Sequence, residues 1–192
     1  NGNLTELILS GLHSAASCRY DVFPTLKKLG VYSSYVETSA VGGTVPSCVF
    51  DGLSQLTYLA LSGNALTGAL PGEVRLPETL QGLDLSHNQL TGTIASGIVA
   101  ANLTLLDLSF NRLSGTISEQ ASEVYVRNPA ARVSLEVNEL SGTLPRSWVE
   151  AVDISVLDGN LFACEVGRIG QTANRPVHNP LQATYACGSS TT

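Results

Sequence analysis

Two aspartates and a histidine have the types and spacing that most invite a chemical role. Asp84 and Asp107 occupy the same position of two similar segments, and His87 lies three residues after the first of them. If the segments are neighbouring β-strands, the two carboxylates are about 5 Å apart. That separation is compatible with a retaining glycosidase or with a calcium site. Such chemistry also needs an enclosed pocket, and an open sheet offers none. We therefore predict no catalytic residue, metal or cofactor, and a carboxylate-dependent glycosidase ranks third among the functions.

The segments that carry these residues belong to a repeat. The stretch LTYLALSGNALTGALP at 56–71 returns as LQGLDLSHNQLTGTIA at 80–95 and as LTLLDLSFNRLSGTIS at 103–118, and a degraded copy, RVSLEVNELSGTLP, lies at 132–145. One asparagine recurs at positions 64, 88, 111, 138 and 160, at intervals of 24, 23, 27 and 22 residues. A repeat of this length indicates stacked units that share one continuous core.

Each copy predicts one short strand followed by a bend. The alternation in Leu83-Asp84-Leu85 is typical of a strand that buries every second residue. The asparagine then ends the strand. We expect its amide to satisfy backbone groups of the bend, and the five asparagines to stack as a ladder. A glycine follows at a fixed offset, where a kinked backbone or a close approach is required. These glycines are Gly68, Gly92, Gly115 and Gly142.

The pattern L-x-x-L-x-L-S-x-N-x-L-T/S-G-x-I/L-P resembles the plant-type leucine-rich repeat, whose ending is found at 66–71 and 140–145. The match covers roughly residues 26–162. The resemblance implies an α/β-type repeat solenoid with a parallel concave sheet and a largely irregular convex side. It also implies a receptor, inhibitor or adhesion protein rather than an enzyme. About seven turns are expected in residues 1–162, and the first two, within 1–55, are irregular.

Four cysteines lie as two pairs near the two ends of the chain, and four cysteines allow three connectivities. Cys18 and Cys48 fall on consecutive turns, whereas Cys164 and Cys187 flank the stretch after the last repeat. We interpret them as Cys18–Cys48 and Cys164–Cys187 disulfides, each worth on the order of 3 kcal/mol. Dispersed histidines and the lack of CxxC disfavour metal ligation. Residues 163–192 are then a disulfide-tied C-terminal cap and tail.

Several features predict a secreted or cell-surface protein. Disulfides imply an oxidising compartment. The sequons at Asn3 and Asn102 both precede the first leucine of a repeat, and we expect N-linked glycans there. No apolar run approaches the roughly 20 residues of a membrane span. The chain contains no methionine, as expected for a fragment or for a chain whose leader has been removed. A net charge of −6 and scattered lysines and arginines argue against a nucleic-acid partner.

The exposed side chains of the predicted sheet follow from counting back from each asparagine. This register places Ile154 and Val156 among the exposed residues of the last turn. Binding hot spots are enriched in tyrosine, tryptophan and arginine. With the polar residues beside such anchors, the candidate ligand-binding residues are Tyr32, Tyr58, Asp84, His87, Asp107, Phe110 and Arg132.

The leading functional hypothesis is a non-enzymatic extracellular module that recognises a protein or a glycan, through the concave face or the inserted loops. The alternative is a structural subunit of an extracellular matrix, wall or filament, assembled by self-association. The thin N-terminal cap and the small side chains of the concave face motivate this alternative, because an open solenoid end favours chains over closed dimers.

Overall fold

The fold was analysed in a computed structural model, which describes residues 6–10, 28–32, 42–45, 50, 55–72, 76–99, 103–117, 131–145, 148, 153–163, 165–166 and 172–173. The strands are β1 (Glu6–Ser10), β2 (Lys28–Tyr32), β3 (Gly42–Thr44), β4 (Tyr58–Ala60), β5 (Ala65–Ala69), β6 (Gly82–Asp84), β7 (Gln89–Thr93), β8 (Leu105–Asp107), β9 (Arg112–Gly115), β10 (Arg132–Ser134), β11 (Glu139–Thr143), β12 (Asp153–Ser155), β13 (Leu161–Ala163), β14 (Glu165–Val166) and β15 (Thr172–Ala173).

The six residues of the predicted disulfides and glycans lie outside the described part of the chain, so these features stay predictions. They are Asn3, Cys18, Cys48, Asn102, Cys164 and Cys187. The boundary of the predicted C-terminal cap is likewise untested. Of the residues beyond 163, the structure describes an antiparallel pair, β14 with β15.

The first sheet of the solenoid is parallel and has seven strands in the order β1-β2-β4-β6-β8-β10-β12. Each predicted turn contributes one strand, and the partners are equivalent positions of consecutive turns, such as Leu59 with Leu83 and Leu83 with Leu106. These leucines are fully buried. The alternation of apolar and polar residues in the sequence therefore predicted the strands correctly, and it predicted the inward leucines of β4, β6 and β8 correctly. We call this sheet the concave sheet.

A second parallel sheet, which the sequence analysis did not predict, has six strands in the order β13-β11-β9-β7-β5-β3. It is formed by the L-T/S-G-x segments, which were expected to be an irregular return path. Stacking places copies of this segment side by side, so that each backbone finds hydrogen-bond partners in the next turn. The expected kinked glycine is present: Gly115 has φ of 83°, and a Cβ on it would lie 2.8 Å from Cγ2 of Thr93.

The hydrophobic core lies between the two sheets. Leu83 and Leu85 enter it from the concave sheet, Leu90 enters it from the second sheet, and each of the three is 0% exposed. Trp148, on the convex side, is also fully buried. The structure describes one short helix in full, α1 (Ser96–Val99), and no helix of the described residues is long and apolar enough to cross a membrane.

The asparagines connect consecutive turns where the chain passes from one sheet to the other. Nδ2 of Asn111 donates to the carbonyl oxygens of Leu108 and Ser109 in its own turn, at 3.1 and 3.2 Å. It also donates to Leu85 O in the preceding turn at 3.0 Å, and its Oδ1 accepts the N–H of Leu90 at 3.0 Å. Equivalent bonds link neighbouring turns at Asn88, Asn138 and Asn160. The predicted asparagine ladder is confirmed.

Replacing one of these asparagines tests the ladder. We expect Asn111→Ala to lower the free energy of unfolding by about 2–4 kcal/mol, because it leaves buried backbone groups of two turns without partners. Urea unfolding measures this change. Gln89→Ala, an exposed position of β7, is the control and should change stability by less than about 0.5 kcal/mol. Equal small effects of the two substitutions would contradict this role of the ladder.

Candidate functional site

The candidate residues on the first and third positions of the strands lie on one face of the concave sheet. Asp84 and Asp107 are directly paired on adjacent strands, as the repeat predicted. Arg132 pairs with Leu105 in the next strand along the sheet. Tyr32 ends β2 and Tyr58 begins β4, which neighbours it. The two tyrosines are thus on adjacent strands, at opposite ends of them.

The register expected for the last turn is wrong by one residue. Ile154 pairs with Val133 and is 3% exposed, and Val156 is 0% exposed, so both belong to the core. The side chain of Asn160 bonds to the carbonyl four residues before it, that of Val156. In the preceding turn, Asn138 bonds to the carbonyl three residues before it.

The last turn therefore contains one extra residue between its strand and its asparagine. Leu135 donates its N–H to Ser155 O, and Val137 donates to Asp158 O, so the extra residue lies between these two acceptors. Because of this bulge, a count back from the asparagine is wrong by one residue for the strand, and it exchanges the inward and outward side chains of β12. As a result Asp153 and Ser155 take the outward positions of β12.

The two aspartates hold the strand ends in place. Oδ1 of Asp84 accepts the N–H and the hydroxyl of Ser86, at 3.1 and 2.7 Å. Oδ1 of Asp107 accepts the same two groups of Ser109, at 3.0 and 2.6 Å. The serines are almost completely buried, whereas both aspartates are half-buried. This arrangement explains the L-D-L-S motif by local hydrogen bonding, and it leaves one oxygen of each carboxylate for other partners.

Tyr58 and Arg132 are both engaged with the neighbouring strand. The ring of Tyr58 covers Gly82, since a Cβ on this glycine would lie 2.3 Å from Cδ2 of the ring. Nε of Arg132 donates to Oδ2 of Asp153 at 2.9 Å, and both side chains are more than half exposed. Surface ion pairs of this kind contribute little to stability, so the arginine remains accessible to a ligand.

A row of bulky side chains follows the strand ends, one position before each asparagine. His87, Phe110 and Val137 occupy this position in three consecutive turns, and we call them the corner ridge. The rings of His87 and Phe110 are stacked, with centroids 4.3 Å apart and planes 8° from parallel. Phe110 is 39% exposed and Val137 is 36% exposed. Phe110 lies beyond the carboxyl end of β8, whereas Arg132 is the first residue of the neighbouring strand β10.

The corner ridge has an unfavourable backbone conformation. His87, Phe110 and Val137 have φ of 53°, 53° and 54°. Gly63 and Gly159 take the same position in the flanking turns, with φ of 67° and 65°. A left-handed conformation costs a residue with a side chain about 1–2 kcal/mol, and it is a genuine outlier for a β-branched one. Partial exposure of the three side chains means that core burial compensates this cost only in part.

Comparison with known proteins identifies the repeat. The family model for the leucine-rich repeat matches residues 79–100 and 102–122. The structure of the BIR3–SERK2 complex from Arabidopsis thaliana contains a chain that is 31% identical, with 74% of this chain and 79% of that chain covered and a TM-score of 0.56. The chain belongs to the plant-type leucine-rich repeat family. No curated protein sequence matches it.

Two larger plant leucine-rich repeat proteins share more of the fold. The Arabidopsis receptor kinase HAESA, in complex with the peptide hormone IDA and the co-receptor SERK1, is 25% identical over 83% of this chain and 26% of its own, with a TM-score of 0.68. The ectodomain of GASSHO1/SCHENGEN3 from Arabidopsis thaliana, in complex with CASPARIAN STRIP INTEGRITY FACTOR 2, is 26% identical over 84% of this chain and 22% of its own, with a TM-score of 0.62. This leucine-rich repeat chain thus spans about a quarter of these receptor chains.

The sequence analysis counted His87 and Phe110 among the candidate ligand-binding residues but left out Val137, and it missed the strain that the three share. The signal was present: the position before the asparagine carries glycine in two turns and a bulky residue in three. Glycine at a fixed repeat position indicates positive φ.

The described part of the repeat holds no group of three or more His, Cys, Asp and Glu residues arranged to bind a metal.

The strain at the corner ridge predicts a reversed preference between glycine and alanine. Val137→Gly and Val137→Ala both remove the two methyl groups of valine, but only glycine also removes Cβ and with it the left-handed penalty. We expect the glycine variant to be the more stable by about 0.5–1 kcal/mol in urea unfolding, since relief of strain exceeds the added backbone entropy. At Thr91, an ordinary exposed position of β7, the same pair of substitutions should favour alanine by about 0.5–1 kcal/mol. A more stable alanine variant at position 137 would show that the ridge is not strained.

Proposed function

We propose that this leucine-rich repeat chain is a non-enzymatic, extracellular recognition module that binds a protein or peptide ligand along the concave sheet and the corner ridge. The observation that carries the proposal is the ridge itself: bulky side chains are kept in a strained conformation and remain exposed. Burial of these side chains offsets only part of the free-energy cost of the strained conformation. Contact with a binding partner is therefore the role that best explains the ridge side chains.

The composition and place of the ridge support a contact with a protein. Aromatic side chains are enriched at binding hot spots, where they contribute a large, rigid apolar area. Phe110 is supported from one side by the stacked ring of His87, so its position is fixed before binding. The ring of Tyr58 lies on the same sheet and is held over Gly82. A partner that spans these strands meets both anchors without rearranging the solenoid.

The receptor relatives support the kind of ligand and the location. The HAESA ectodomain binds a peptide hormone and a co-receptor, and the GASSHO1 ectodomain binds CASPARIAN STRIP INTEGRITY FACTOR 2. Both are ectodomains with the same repeat. An extracellular location also agrees with the sequons and the cysteine pairs of this chain, which we expect to be glycosylated and oxidised.

The test uses a partner identified among the proteins and peptides secreted by the source organism, with the full glycosylated chain as bait. We expect Phe110→Ala to weaken binding of that partner roughly 10- to 30-fold, as measured by calorimetry, because truncating an aromatic hot spot costs about 2 kcal/mol. Leu161→Ala is the matched control. Leu161 is the most exposed of the large apolar side chains described, at 62%, but it lies on the second sheet. Its variant should bind within about twofold of the original chain.

Equal affinities of the original chain and of the Phe110→Ala variant would remove the corner ridge from the interface. Light scattering of the glycosylated chain over a concentration series tests the alternative, a structural subunit. Growth into oligomers or rods would favour that alternative, whereas a monomer at all concentrations would favour recognition. Loss of binding after deglycosylation of the partner would instead make a glycan the ligand.

A further inference from the structure

The two sheets of the leucine-rich repeat differ in charge, although both have an outer face. From β6 to β12 the concave side carries an excess of carboxylates. They are Asp84, Asp107, Glu136, Asp153 and Asp158. Among the residues described on this side from β6 to β12, the one cation is Arg132, which is paired with Asp153. On the second sheet the exposed Arg112 and Glu139 balance each other. Within the described turns, the negative charge is therefore concentrated on the face that the corner ridge borders.

Asp84 and Asp107 are neighbours on adjacent strands, and each keeps one carboxylate oxygen for a ligand. In each, the hydrogen bonds to the following serine engage Oδ1, and Oδ2 makes no hydrogen bond within the described residues. The two residues are direct partners on adjacent parallel strands, which places them about 5 Å apart. Two half-satisfied carboxylates at this spacing complement a guanidinium or an ammonium group.

The corner ridge is within reach of a ligand bound to these carboxylates. His87 and Phe110 follow the two aspartates by three residues, a distance of about 10 Å along a strand. In an extended peptide, side chains that face the same way recur about every 7 Å. One peptide can therefore place a cationic side chain on the aspartates and an apolar side chain on the ridge.

We propose that the ligand segment is an extended, cationic peptide, whose arginine or lysine pairs with Asp84 and Asp107 and whose apolar side chain packs on the corner ridge. This inference rests on the proposed function, and it adds the chemical class of the partner. A small cation satisfies the carboxylates but gains nothing from Phe110. An apolar peptide uses the ridge but leaves the excess of carboxylates uncompensated. A segment with both features complements the whole face.

The variant that tests the cationic part is the double substitution Asp84→Asn and Asp107→Asn. Asparagine keeps the Oδ1 acceptor for the serine, so the strand ends stay capped while two charges are removed. The first control is Ser86→Ala with Ser109→Ala, which removes the capping hydroxyls and keeps both charges. The second control is Glu139→Gln, which removes a carboxylate from the second sheet. Urea unfolding of all the variants confirms that each is folded.

The probe is a library of random octapeptides, from which the full chain selects binders. We expect selected peptides to be enriched in arginine and lysine and in aromatic or aliphatic residues two to four positions away. The double asparagine variant should lose the cationic enrichment and bind the selected peptides about tenfold more weakly, and the two controls should keep both properties. Affinity for the original chain should fall as salt is raised, because these charges are partly exposed.

Other outcomes separate the two proposals. Apolar enrichment without cationic enrichment would overturn the cationic ligand and leave the proposed function standing. Cationic enrichment that survives in the double asparagine variant would also overturn the inference, because the arginine or lysine of the peptide would then bind residues other than Asp84 and Asp107. Selection of no peptides by the folded chain would count against both proposals. Loss of apolar enrichment in Phe110→Ala, with cationic enrichment intact, would support the division of roles between ridge and aspartates.

Discussion

The structure depends on the need to satisfy backbone groups where each turn passes from the concave sheet to the second sheet. At this bend the backbone bonds between adjacent turns satisfy only part of the buried groups, and the remaining carbonyl and N–H groups need other partners. One asparagine per turn supplies them, and its bonds reach both its own turn and the preceding one. The bend is thereby tied to two turns at once. The interval of 27 residues between Asn111 and Asn138 leaves these bonds intact, because Asn138 makes the same contacts with the preceding turn.

The same constraint produces the candidate binding surface. To bring the asparagine under the bend, the residue before it takes a left-handed conformation and points outward. In two turns this residue is a glycine and the surface is bare. In three turns it is bulky, and the rigid stacking of the solenoid aligns the side chains into the corner ridge. The hydrogen bonds of the buried asparagine stabilise the fold, and they also fix the position of the exposed side chain one residue before it.

The two sheets share one stacking arrangement but offer different surfaces. The glycines of β5, β7, β9 and β11 each accept a neighbouring side chain against the backbone, as Gly115 accepts the methyl group of Thr93, which gives a neutral, hydroxyl-rich face. The concave sheet carries carboxylates that fix their own strand ends through serine and still retain a free oxygen. Electrostatic complementarity contributes mainly to partner choice and to the rate of encounter. The charged face is therefore the one suited to recognition.

The sequence by itself determined the solenoid, the inward leucines and the asparagine ladder, because these follow from a period that repeats in every turn. It did not reveal the second sheet, since glycine and proline disfavour strands locally and only stacking of adjacent turns supplies the partners. It also misplaced Ile154 and Val156, because one inserted residue before Asn160 is visible only in the pairing of β12 with its neighbour. The strain at Val137 did leave a signal in the sequence, because glycine takes the same repeat position at 63 and 159. A repeated sequence pattern specifies the features that all turns share. The irregular features of a single turn are set by its contacts with neighbouring turns, which lie about twenty residues away in the sequence and about 5 Å away in space.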